Sequence, residues 1–260
     1  MPNRYLAAAL AVIAGMVDLM SFMNLDGIFT AHVTGNLVIL TALAIEGRHA
    51  KLGQTLAVPV FIVTAAVVWL LVRRIGALSP AATRAVLLMQ FGLLLAVLLV
   101  SVLGHVTQSP TGSVALVTVL LATSAMAAQN ALLHLQVPGS PATAVMTGNL
   151  VSTIIFALDA VSNEGARHTA AAAHLRNVLG LLGGFMLGCA VAAAFLLIDR
   201  DWAWALPATS AGLVLLWKHK APTLTVLGGD GRLTEHYASD PAASEWPQQA
   251  GEHEMGRKYR

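Results

Sequence analysis

Residues 33–38 read Val-Thr-Gly-Asn-Leu-Val, and residues 146–151 read Met-Thr-Gly-Asn-Leu-Val. Thr34 and Thr147 stand 113 residues apart in a chain of 260. Each phrase begins an apolar segment. Each is preceded by another apolar segment that carries a polar group, Asp18 in the first half and Gln129-Asn130 in the second. A duplicated, interrupted apolar pair points to a binding site at a repeat interface, as in transporters.

Working outward, eight apolar elements can be marked at about 5–24, 30–46, 54–73, 84–104, 113–135, 141–160, 174–198 and 202–217. The chain is 57% hydrophobic and 11% charged, where a soluble domain carries about 25% charge. This predicts a polytopic helical membrane protein. No basic cluster is interleaved with aromatics, so nucleic acid is not an expected partner. Arg4 and the apolar stretch after it mimic a signal peptide. Asp18 and the further apolar segments make residues 5–24 an uncleaved first helix instead. The organisation predicted is membrane repeat 1 at 1–104, a linker at 105–113, membrane repeat 2 at 114–218, and a polar, disordered tail at 219–260. Residues 221–260 hold four Lys/Arg and six Asp/Glu, and the tail has no apolar run.

Charge counting compares two topologies. If all eight elements cross with the N-terminus inside, Lys and Arg of the membrane region divide seven inside to four outside. If the second element of each repeat re-enters without crossing, six crossings remain and the split is eight to three. The second arrangement makes the halves inverted. The fold class expected is therefore an all-α integral membrane protein of two inverted repeats. Each has about three spanning helices plus one broken or re-entrant helix.

Asp18 shares a helix face with Gly15 and Phe22. A carboxylate at this depth must be paired or face water. It is either an ion, proton or ligand site, or a hydrogen-bond acceptor for backbone freed at the break. Gln129 and Asn130 hold the matching place, as ligand contacts or interhelical glue. Thr34, Gly35, Asn36 and Thr147, Gly148, Asn149 are read as turns that cap a broken helix, present polar atoms to a ligand, or both. A helix start there would favour the negative end of a substrate. His32 adds a candidate pH-sensitive gate. Glu46 and Asp159 match in position, at element ends. Gly184 and Gly188 form a G-x-x-x-G, either a homodimer seam or intrachain packing. Cys189, the one cysteine, is a packing residue that excludes an internal disulfide. No metal spacing, nucleotide loop or catalytic signature is present, so no cofactor, metal site or enzymatic role is expected.

Gly15-x-x-Asp18-x-x-Ser21-Phe22, Gly27-x-Phe29 and Thr34-Gly35-Asn36 make a specific combination. Gln129-Asn130 and Thr143-x-x-Met146-Thr147-Gly148-Asn149 extend it through the second half. On these residues the chain resembles the YoaK family of small bacterial multi-pass membrane proteins (domain of unknown function 1275), over roughly residues 5–217. Ala144 departs from the polar hydroxyl residue common there. The resemblance implies a bacterial inner (cytoplasmic) membrane protein with about six spans, and no established substrate. The function expected is a secondary transporter or channel-like carrier for a small polar solute or ion, with both termini cytoplasmic. The alternative is a membrane scaffold or accessory subunit.

Overall fold

The computed structural model describes residues 3–136, 151, 153–155, 157–158, 165–217, 223–227 and 233–237. Among the described residues, seven α-helices carry the membrane region: α1 (Asn3–Asn24), α2 (Val33–Ile45), α3 (Leu52–Ile75), α4 (Pro80–Gly104), α5 (Ser113–Gln136), α6 (Gly165–Leu196) and α7 (Ala205–Leu216). Residues 151, 153–155, 157 and 158 are also helical. Among the described residues, five segments are long and apolar enough to cross a bilayer: Tyr5–Asn24, Leu52–Ile75, Pro80–Gly104, Ser113–Gln136 and Leu175–Leu196. At 1.5 Å per residue they reach about 30 Å or more, the thickness of the hydrocarbon layer. Their outer faces present Ile62, Leu70, Leu88, Leu99 and Met186, all exposed, which suits lipid and not water.

Local chemistry sets the helix ends. Ser79 caps α4 by accepting from Ala82 N–H at 3.0 Å, with Pro80 in the first turn. Arg73 and Arg74 occupy the last turn of α3, where the helix dipole favours cations.

Side-chain contacts fix the helix directions. Gly184 lies against Ala8, Gly188 against Val12, and Gly15 against Phe185 and Cys189. The numbers rise together, so α1 and α6 are parallel. Gly53 touches Val119, and Thr64 Oγ1 lies 3.3 Å from Ser124 Oγ, so α3 and α5 are also parallel. Gln90 meets Gln129 and Thr83 meets Gln136, so α4 and α5 are antiparallel. One end of the bundle is pinned by three bonds. Lys51 pairs with Asp26, Asn24 Nδ2 donates to Arg200 O at 3.0 Å, and Thr107 Oγ1 donates to Asp201 Oδ2 at 3.1 Å. The chain thus leaves α1 and enters α3 at the same end. Helix α2 is about 20 Å long, shorter than the roughly 30 Å hydrocarbon layer.

The two most buried spans are α1 and α5. In each, 67% of the apolar window is buried, against 22–33% in the other three. They form the centre, and they carry the polar groups singled out by sequence.

Gly15 and Gly188 allow backbone contact. A Cβ on Gly15 would sit 2.1 Å from Phe185 O, and one on Gly188 2.1 Å from Val12 O. The G-x-x-x-G face is therefore occupied within the chain by α1. Cys189 is half-buried in the same seam, its thiol 3.4 Å from Gly15 O, in keeping with a packing role.

In the tail, Thr223–Leu227 and Leu233–Tyr237 pair as antiparallel strands. Alternating β-branched and aromatic residues such as Thr223, Thr225, Val226 and Tyr237 favour the pairing. A two-stranded hairpin alone supplies no packed core.

Candidate functional site

After Asn24 the chain turns back through Asp26 (φ 59°) and Gly27 (φ 79°), two successive left-handed residues. Glycine adopts this region without strain, and aspartate tolerates it. The segment then dips to the level of Asp18, six residues or about 9 Å below the end of α1. This descent leaves the backbone of residues 29–31 outside any helix, inside the bundle, where each N–H requires a partner.

The sequence supplies them. Asp18 is 3% exposed. Its Oδ1 accepts from Thr30 N–H at 2.9 Å and Ala31 N–H at 2.8 Å. Its Oδ2 lies 2.6 Å from His32 Nδ1. Asn36 closes on Phe29 at both ends of its amide. Its Oδ1 accepts from Phe29 N–H at 3.0 Å, and its Nδ2 donates to Phe29 O at 2.7 Å. Ser21 and Thr30 share a hydroxyl bond of 3.0 Å. The His32 ring stands edge-on to Phe185 of α6, with centroids 5.1 Å apart. Gly35 lets the Phe29 ring approach α2 closely, since a Cβ there would lie 3.0 Å from the ring.

Of the residues predicted from the first half, Asp18, His32, Gly35 and Asn36 thus come together at the break. Thr34 does not join them, because it is exposed. Glu46 pairs with Arg48 at 3.0 Å on the surface, both more than half exposed.

In the second half, Gln129 is fully buried. Its Nε2 donates to Leu10 O of α1 at 2.9 Å, and its Oε1 accepts from Gln90 Nε2 of α4 at 2.7 Å. Among its contacts, Asn130 Nδ2 donates to Met126 O, one turn back, at 3.0 Å. Thr147, Gly148, Asn149, Ala144 and Asp159 lie outside the described residues.

Sequence reasoning missed several partners. Gln90 is a lone amide in an otherwise apolar span, and that isolation was a readable signal. Asp201 was not singled out either. It holds the linker after α4 by accepting from Thr107 N–H at 3.2 Å and Thr107 Oγ1. The Lys51–Asp26 pair joins residues 25 apart and has no local signature. A cavity of about 210 Å³ opens at that end, lined by Ile28, Lys51, Gly53, Pro110 and Ser113 among others. It is separate from Asp18 and Gln129. No group of three or more His, Cys, Asp or Glu residues poised for a metal occurs among the described residues.

The family model described as Protein of unknown function (DUF1275) matches residues 6–217, and the chain belongs to that family. No curated protein and no solved structure matches the chain.

Proposed function

We propose that this DUF1275 protein is a carrier for a small polar solute or ion in the bacterial inner membrane, built from two inverted repeats. The observation that carries the reading is the re-entrant break. The chain dips back to Asp18, starts α2 inside the bundle, and returns to the end it left. A helix interrupted within a membrane bundle is where transporters place their sites.

The helix pairing supports the repeat. Exchanging α1 with α5 and α3 with α6 maps the parallel pair α1–α6 onto the parallel pair α5–α3. Helices α1 and α5 run in opposite directions, as inverted repeats require. The charges support the orientation. Arg73, Arg74 and Arg84 cluster at the end where α1 begins, while Arg48, Lys51 and Arg200 lie at the other. Positive-inside bias then puts the N-terminus in the cytoplasm, and six crossings return the tail there. The short α7 supplies the sixth.

A second reading, a non-transporting scaffold, is favoured by one observation. Both oxygens of Asp18 and both amide atoms of Asn36 are committed to the chain's own groups. In the carrier reading this is the closed state, with Asp18 as the latch on the re-entrant segment.

The test is uptake by liposomes containing the purified protein, over a panel of inorganic ions, small acids, amines, amides and polyols. Flux above protein-free liposomes for any member supports a carrier. Folded protein with no flux over the whole panel gives the scaffold reading.

A further inference from the structure

The amide chain at the centre of the bundle has a determinable direction. Its first atom, Leu10 O, is a carbonyl and only accepts. The Gln129 atom facing it must be the Nε2 donor, at 2.9 Å. Gln129 therefore turns its Oε1 to Gln90, and the Gln90 atom facing that oxygen must be Nε2, at 2.7 Å. One backbone carbonyl thus settles the orientation of both amides. The last atom, Gln90 Oε1, is an acceptor. Gln90 is 1% exposed, and no donor among the described residues reaches Oε1. A sealed acceptor without a donor bears its full desolvation penalty. Asn24 Oδ1, Gln54 Oε1, Thr123 Oγ1, Gln136 Nε2 and Trp204 Nε1 also lack partners among the described residues, but only Gln90 Oε1 ends a bonded chain that joins α1, α5 and α4.

We propose that Gln90 Oε1 is the recognition atom for a neutral solute bearing N–H or O–H donors, bound where α1, α4 and α5 meet. This deepens the carrier reading and rests on it. The position lies between the halves, since Leu10 and Gln90 belong to the first and Gln129 to the second. The chemistry sets the class. The group offers oxygen lone pairs, so a carboxylate or phosphate would meet repulsion. It has no formal charge of its own, so a cation would be desolvated against dipoles alone. An amide or a polyol supplies the missing donor and carries no charge. A site built to bond such a donor rejects analogues lacking it by large factors, because the buried acceptor is then left unpaired.

The experiment uses full-length protein in liposomes. It measures entry of acetamide and glycerol, with acetate as the anion of similar size and methylammonium as the cation. Wild type is compared with Gln90→Met, which keeps length and loses the acceptor. Gln90→Glu serves as a second variant should the first not fold. Folding is checked by monodisperse elution and thermal unfolding. The expected result is entry of acetamide or glycerol well above acetate and methylammonium. That entry falls at least about tenfold in Gln90→Met, and the Glu variant shifts preference toward methylammonium. Undiminished acetamide and glycerol entry in a folded variant overturns the site and leaves the carrier standing. Transport of charged probes only by wild type does the same. No transport of any probe or of the wider panel overturns the carrier reading and this inference together.

Discussion

Two polar nodes sit on the two central helices, and they are built on opposite plans. The Asp18 node on α1 is built on an acidic side chain and spends itself on backbone. Two N–H groups and one imidazole close around a carboxylate that is 3% exposed. The Gln129 node on α5 is neutral and runs between helices, from the Leu10 carbonyl through Gln129 to Gln90. A carboxylate inside a membrane must be surrounded by donors or it is not tolerated. An amide is cheaper to bury, and a chain of amides can end on a free acceptor. The first plan fixes architecture. The second leaves chemistry available to something that arrives.

The largest expected effect breaks the first plan. Asp18→Ala strands two buried N–H groups and the His32 ring at once. Each buried donor left without its acceptor costs about 1–3 kcal/mol. Thermal unfolding in detergent is expected to show this as a large drop or as loss of folded protein. Asp18→Asn keeps an acceptor for Thr30 and Ala31, so its loss should be smaller, about 1–2 kcal/mol. Equal losses for the two would mean that the charge, not the bonding pattern, holds the break.

Next in size is the frame on which both nodes depend. Gly188→Ala places a Cβ 2.1 Å from Val12 O, and a backbone carbonyl cannot rotate away as a side chain can. Helix α1 must move off α6, at about 1–3 kcal/mol or more. Unfolding measurements on Gly188→Ala and on Gly183→Ala separate this from general loss of glycine. Gly183 has open space around its Cβ position, so its variant should be neutral or slightly stabilising.

Much of this frame was legible in the sequence because lipid leaves few options. Seven of the eight apolar runs appear as helices at nearly the expected positions, and part of the eighth is helical. Asp18 and Asn36 stood out because a polar group inside an apolar run must do something. What each does was not readable. Sequence spacing shows that Asp18 precedes a break, but not that the chain folds back far enough for residues 30–32 to reach it. Gly184 and Gly188 announced close packing without naming the partner, since nothing local separates α1 from a second copy. The pairing of Gln90 with Gln129 joins residues 39 apart on two helices, and it depends on helix rotation that periodicity leaves undetermined.

A smaller effect compares the nodes directly. Asn36→Ala removes two bonds to Phe29 within one segment. Gln129→Leu removes bonds to two other helices, in α1 and α4. Interhelical side-chain bonds in membranes contribute about 0.6–2 kcal/mol, so both variants should lose stability in that range. Their flux should differ. Asn36→Ala loosens the re-entrant segment but leaves the amide chain intact, so selectivity between acetamide and acetate should persist. Gln129→Leu frees Gln90 to turn, and that selectivity should fall. The same selectivity in both variants would remove the distinction between an architectural and a recognising node.

The smallest effect concerns the repeated phrase itself. Thr34 belongs to Thr34-Gly35-Asn36, yet it is exposed while Asn36 is fully buried. Thr34→Ala should change stability by no more than about 0.5 kcal/mol and leave acetamide entry unaltered. If so, the first copy of the phrase works through Gly35, which admits the Phe29 ring, and Asn36, which binds the Phe29 backbone. A large loss of flux with unchanged stability would mean the reverse. Thr34 would then meet the solute on its way in, and the re-entrant segment would be a recognising element after all, not only the part that Asp18 holds in place.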